Sequence, residues 1–406
     1  MNEHWLQSYI QLAFRIDKAI RAISASSPFV DCYYGPPEWK DSVTTENVTP
    51  ANDLLQAAGH LIVALPLQQF EPHRQTYLAK QMLAMETVCR KLCGETFTLE
   101  DEVQRCFDIR PTWTPETVFE QAFALAETAL PGEGNIFERM DALEQHYTLA
   151  REQIGLLEGF MYQAFAETRR RTQTFVTLPA DEEVEVQIVT ERAWLANNTY
   201  PGGYRSHIDV NTDLPTILSY LPGLASHEGY PGHHVEAVLK EQALYQAKGY
   251  IEQTIGLLIS PQMVISEGIA TLAPDMIFTP DEQQQWLAEH VYSVVGIEPL
   301  SVDWAKLRDV FDLLHGVRGN AVFLLREGRS DNEVKQYLMR YFMTNDDVSA
   351  KILTYLKRPF RETYVFTYFS GKQLMQPWLK GTDRFTVFRR FLSEQMYPSE
   401  LVLQRT

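Results

Sequence analysis

Three of the chain's ten histidines fall between residues 227 and 234, in the run Ser226-His227-Glu228-Gly229-Tyr230-Pro231-Gly232-His233-His234. Neutral imidazole is the commonest protein ligand for zinc and similar ions, and crowding of this kind is rare by chance. Glu228, directly after the first histidine, is placed to act as general base on a water activated by a metal held beside it. In the usual helical form of such a site the second histidine follows at i+4; here that position is Pro231. The nearest candidates are His233 and His234. On an ideal helix i+7 lies about 10 Å further along the axis and i+6 points to another face, so neither reaches an ion with bonds of about 2.0–2.1 Å. Pro231 cannot donate to the carbonyl of His227, and Gly232 tolerates unusual dihedrals. A bulge or loop there can carry one of the two histidines back toward His227. The competing reading is a polar helix start with incidental histidines. Between the two, His233 needs the smaller extension of the motif, and His234 is then a substrate contact or a support for a ligand, with the ligand role still open to it.

A third ligand is expected from a later helix. Ser260-Pro261 reads as a helix start, and the segment that follows places Ser266-Glu267-Gly268-Ile269-Ala270 among apolar and small residues. A carboxylate in such surroundings is costly unless it is paired or bound to a metal, so Glu267 is the best candidate in the chain. The alternative is a surface glutamate on an amphipathic helix. Gly268 and Ala270 should let this helix approach the motif helix closely.

On these residues the chain resembles a bacterial family labelled "domain of unknown function 885", whose members are regarded as zinc metallopeptidases related to the gluzincins. The likeness rests on His-Glu-x-x-Pro-Gly-His-His at 227–234 and Glu-Gly-x-Ala at 267–270. It extends, less specifically, to residues 29–36, to Arg308, Asp312 and His315, and to Arg358, Tyr368, Gly371 and Lys372. The resemblance implies one zinc ion per chain on His227, Glu267 and one of His233 and His234, a peptide or small amide as substrate, Tyr368 as donor to the oxyanion of a tetrahedral intermediate, and Arg358 as anchor for a substrate carboxylate. This chain departs from the family at Ile269, where a tryptophan is usual, and at Pro274-Asp275, near a second acidic position. Two other function classes stay open: a metalloenzyme with non-peptide chemistry on the same ligands, and a catalytically silent metal-binding or scaffold protein.

Composition narrows the partners. At 406 residues and 45% hydrophobic the chain can bury a large core. A net charge of −17 offers no basic tract for nucleic acid; Arg169-Arg170-Arg171 reads instead as the end of a helix. No stretch is apolar enough to span a membrane, and the first residues, Met1-Asn2-Glu3-His4-Trp5, lack the pattern of a signal peptide. Cys32, Cys89, Cys93 and Cys106 form no paired motif and are expected to stay reduced, with Cys89 and Cys93 as small core residues. The expected location is the cytoplasm.

The elements that must position these residues are mostly helices. Apolar side chains recur at helical steps over 4–25, 51–65, 70–93, 115–129 and the long stretch 136–170, with residues 29–37 breaking the pattern. Alternating β-branched residues predict strands over 172–178, 183–189 and 204–210, the last entered by a Pro201-Gly202-Gly203 turn. An edge strand of such a sheet can hold an extended substrate, which makes Tyr204 a substrate contact or, equally, a turn residue. Helix resumes from about 302. The expectation is a mainly α, multi-helix, gluzincin-like fold with a small β element before the metal-site helix. A cleft separates an N-terminal helical part (1–170) from a catalytic part (171–406), the two forming one integrated unit.

Overall fold

A computed structural model describes residues 2–192 and 194–403. The N-terminal part begins with α1 (Asn2–Ile23), whose buried stripe of Trp5, Tyr9, Leu12, Ile16 and Ile20 has the three- and four-residue spacing of an amphipathic helix. A short strand β1 (Val30–Tyr33) follows, then α2 (Pro37–Thr44), α3 (Ala51–Ala64), α4 (Pro72–Leu92), α5 (Leu99–Phe107) and α6 (Glu116–Ala129).

The stretch expected as one helix over 136–170 is two. α7 (Ile136–His146) stops at Tyr147, and α8 (Leu157–Thr172) begins after a tight turn over Arg151–Leu156. The break has a cause the apolar stripe could not reveal. Tyr147 is fully buried, and its carbonyl accepts from Leu218 N at 2.8 Å while Leu149 N donates to Thr216 O at 2.8 Å. Tertiary pairing thus takes the backbone groups that a continuous helix would use.

The central sheet differs from expectation in the same way. Residues 173–178 form turns and loop, not a strand. The sheet is β2 (Glu183–Val189), β3 (Ala196–Gly202) and β4 (Arg205–Asn211) in the order β2-β4-β3, with β2 parallel and β3 antiparallel to β4. The strand after Pro201-Gly202-Gly203 is therefore central and paired on both sides, and the edge beside the motif is β3, in a segment for which no strand was expected.

The C-terminal part continues with α9 (Leu221–Glu228), α10 (His233–Lys240), β5 (Ile255–Leu257), α11 (Pro261–Ile277), α12 (Pro280–Leu287) and the single turn α13 (Ser293–Val295). It ends with α14 (Trp304–Leu314), α15 (Gly316–Arg326), α16 (Asp331–Tyr341), α17 (Asp346–Leu356), α18 (Phe366–Met375), α19 (Arg384–Ser393) and α20 (Pro398–Leu403). No helix among the described residues is long and apolar enough to cross a membrane. Buried side chains from Trp5 to Leu401 join in one connected cluster. The two parts also share a sheet, since β1 pairs antiparallel with β5. A bidentate ion pair from Arg74 to the buried Glu252, at 2.6 Å, ties them again.

Candidate metal centre

The site is built where a helix is interrupted. Gly232 N donates to Ser226 O at 2.9 Å, a bond spanning six residues instead of four. Two residues are thereby looped out around Pro231, which has no N–H to give, and α10 restarts so that His233 comes back beside His227. Only glycine fits at 232: a Cβ there would lie 1.9 Å from His227 O and 2.4 Å from Ser226 O. The rings of His227 and His233 stand 4.8 Å apart and nearly perpendicular.

Glu267 completes the group from α11. One ligand atom from each of His227, His233 and Glu267 lies within 4.8 Å of the others. Glu267 Oε2 is 3.5 Å from His227 Nε2 and 3.8 Å from His233 Nε2. A tetrahedral ion with bonds of about 2.0–2.1 Å separates its ligands by roughly 3.4 Å, so a small contraction suffices. The donor set is also chemically suited, two imidazoles and a carboxylate with a fourth position left over. The most telling atom is Glu267 Oε2 itself, which is buried and has no hydrogen-bond partner among the described residues. Burial opposes ionisation of Glu267, but His227, His233 and the Tyr364 hydroxyl together hold its carboxyl below the ordinary range. A buried charge with an unengaged lone pair facing two imidazoles fits a cation.

The surroundings fix the ligands. His233 Nδ1 lies 3.1 Å from Ser266 Oγ, whose own proton goes to Glu236 Oε2 at 2.6 Å. Ser266 must then accept from Nδ1–H, which leaves His233 Nε2 bare in the neutral ring. Lys240 neutralises the other oxygen of Glu236 at 2.6 Å. Burial lowers the pKa of His233, but Glu236, Glu267 and Glu228 outweigh it and lift it to about 9. Tyr364 donates to Glu267 Oε1 at 2.6 Å; nothing in the sequence singles this tyrosine out.

Glu228 is the last residue of α9, with Asn198 of β3 donating to its carbonyl at 2.6 Å. Its side chain is buried and acts electrostatically on His233, Tyr368 and Asp31. Tyr368 lies 6.4 Å from His227, ring to ring and nearly parallel, and its hydroxyl has no hydrogen-bond partner among the described residues. Burial, with Glu267 adding, drives its pKa well up, so it stays a donor at any working pH.

Other expected residues lie elsewhere. His234 is fully buried, with Nδ1 at 2.8 Å from Ser206 Oγ and Nε2 at 2.8 Å from Glu182 Oε2. Neither nitrogen is open to an ion or a substrate, and desolvation lowers its pKa. Tyr204 sits in the β3–β4 turn at φ 62°, with its hydroxyl given to Gln246 at 2.6 Å. Arg358 lies over the Tyr355 ring at 5.8 Å. It borders a shallow surface cavity of about 400 Å³ that includes none of the three candidate ligands. Gly268 does allow a close helix approach, but to α18: a Cβ at 268 would lie 2.8 Å from Gly371 C, and one at 371 would lie 2.4 Å from Val264 O. Lys372 bonds Asp312 at 2.6 Å and lies 3.8 Å from Asp275, itself paired with Arg308 at 3.1 Å. The motif-like residues of the last third thus clamp α18, which carries Tyr368, against α11 and α14. His315 lies at this junction, its pKa pushed down to about 4 by burial and Lys372.

No family model matches the chain, and no curated protein does. Its fold is similar to that of a "putative lipoprotein" from Colwellia psychrerythraea, at 16% identity and a TM-score of 0.53 over 90% of this chain and 72% of that one. A "putative lipoprotein of unknown function" from Shewanella oneidensis matches at 11% identity and a TM-score of 0.48 over 90% and 75%. The first likeness shows a shared fold; the second is too distant to add to it.

Proposed function

We propose that the protein is a zinc-dependent hydrolase of peptide or related amide bonds, with His227, His233 and Glu267 holding one ion. The observation that carries this reading is the buried, unpartnered Glu267 Oε2 facing the Nε2 atoms of both histidines. An ion held there supplies Lewis acidity to a water and to the scissile carbonyl. Glu228 takes the proton of the attacking water and delivers it to the departing nitrogen. The Tyr368 hydroxyl donates to the carbonyl oxygen as negative charge develops on it. Ser266, Glu236 and Lys240 keep His233 in the ligating tautomer, and the free edge of β3 offers main-chain groups to an extended substrate.

A gluzincin-like organisation, with substrate held between the N-terminal helices and the catalytic half, belongs to the same proposal; β1 of the N-terminal part reaching the metal group supports it. So does a cytoplasmic location, which suits four free cysteines. The test is a fluorogenic peptide library assayed with and without chelator on wild type and Glu228→Gln. Chelator-sensitive cleavage that falls at least about 10²-fold in the variant, at unchanged metal content, is expected. Turnover indifferent to chelator overturns the reading.

A further inference from the structure

One charged side chain beside the metal group has no part in the chemistry proposed above. Asp31 lies on β1, and the pairing with β5 slips there: Val30 opposes Leu257 and Cys32 opposes Gly256, leaving Asp31 as the extra residue of a bulge. Bulges re-aim side chains and recur next to active sites. The strand opposite makes room, since a Cβ on Gly256 would lie 2.8 Å from Cys32 Sγ and 3.7 Å from Asp31 Cβ. β5 runs directly into α11, so the register of this two-stranded sheet also fixes Asp31 relative to Glu267. The segment is fastened at both ends: Asp17 accepts from the amides of Phe29 and Val30 at 2.7 and 3.0 Å, and Tyr34 N donates to Thr254 O at 2.9 Å.

The Asp31 side chain is exposed, and it makes no hydrogen bond or ion pair with any described residue. It nevertheless acts electrostatically on the same groups as the proposed chemistry, His233, Glu267 and Glu228. Arg361, the cation that also acts on it, gives a hydrogen bond to Pro28 O at 3.1 Å and lies over the Tyr364 ring at 5.6 Å. The other carboxylates around the site are already accounted for: Glu236 is neutralised by Lys240, Glu267 faces the two histidines, and Glu228 serves the proposed chemistry. A rigidly mounted carboxylate with no ion-pair partner among the described residues, beside a hydrolytic centre, suits one kind of substrate group, an ammonium.

We propose that Asp31 anchors the free N-terminal ammonium of a peptide, making the protein an aminopeptidase. This deepens the hydrolase reading and rests on it. With the ammonium at Asp31, the first peptide bond of the substrate lies over the metal group. Water then gives hydroxyl to its carbonyl carbon and a proton to the leaving nitrogen, releasing one amino acid and the shortened peptide. A charge-assisted contact of this kind contributes about 10- to 100-fold in affinity.

Binding tests this independently of turnover. Zinc-loaded wild type and Asp31→Asn are titrated by calorimetry with leucine hydroxamate and N-acetyl-leucine hydroxamate, which share the metal-binding group and differ in the ammonium. Wild type should bind the free-amine form at least about 10-fold more tightly, and the variant, at unchanged zinc content, should bind the two alike. Equal affinities in wild type, a preference that survives in Asp31→Asn, or no binding of either compound to zinc-loaded protein overturns the proposal. Failure to take up zinc at all removes the hydrolase reading beneath it, a separate result. With peptides, N-acetylation should abolish cleavage while C-terminal amidation leaves it; the reverse pattern also overturns the proposal.

Discussion

His233 and His234 are neighbours in sequence and opposites in the structure. Each faces a buried glutamate, yet the two groups are completed in contrary ways. Around His234, the Glu182 carboxylate receives Tyr230 and Arg169 at 2.5 Å each as well as the ring at 2.8 Å, and Ser206 occupies the remaining ring nitrogen. Around His233, Glu267 keeps one buried oxygen with nothing to bond. Buried polar atoms are nearly always satisfied, so the first arrangement reads as a staple joining α8, β4 and the loop before α10. The second reads as a group awaiting an ion. The difference teaches that histidine content alone does not mark the site; the unengaged lone pair of Glu267 does.

That contrast can be broken most severely from the ligand side. His227→Ala and Glu267→Ala should each empty the metal group and bring hydrolysis to background, read by metal analysis and by the peptide-library assay. Full occupancy in both variants would dismiss the ligand set. A smaller effect follows from the Tyr364 hydroxyl, which holds Glu267 in place. Tyr364→Phe should lower metal affinity about 10- to 100-fold, as loss of a hydrogen bond behind a ligand does; an unchanged metal titration would show that the contact positions nothing.

On the other side of the comparison, His234→Ala should destabilise the fold by about 3 kcal/mol, because it strips a partner from a buried carboxylate. Denaturant unfolding measures this, and a change near zero would mean that Arg169 and Tyr230 suffice alone.

The mildest test is pH. His233, with its pKa lifted to about 9 in the folded chain, titrates near 6.5 when unfolded. Its contribution to the stability of the metal-free protein is therefore complete below about pH 6.5 and is lost as pH rises through about 9. The melting temperature of metal-free protein should fall across that window, while metal affinity rises as the competing proton leaves. A flat profile would show that His233 does not carry the charge its neighbours impose.

Much of this was legible in the chain because the decisive signals are local. Pro231-Gly232 marks where a helix must loop out, and a lone glutamate among Ile265, Ile269 and Leu272 marks a carboxylate in need of a partner. What stayed hidden depends on partners far apart in sequence. The break at Tyr147 comes from pairing with residues near 217, and β3 is a strand only because β4 lies beside it. Gly268 pointed to a close approach to the motif helix, whereas the backbone it meets is that of Gly371 on α18. Tyr364 and Asp31 showed nothing by residue type, because one depends on a single hydroxyl contact and the other on a slipped register.

Metal content measured on His233→Ala and His234→Ala purified side by side decides which of the two adjacent histidines is a ligand. Wild type and His234→Ala should each carry about one zinc-like ion per chain at saturating metal, and His233→Ala should carry none. A wild type without metal, or an empty His234→Ala beside a loaded His233→Ala, would contradict the assignment at its centre.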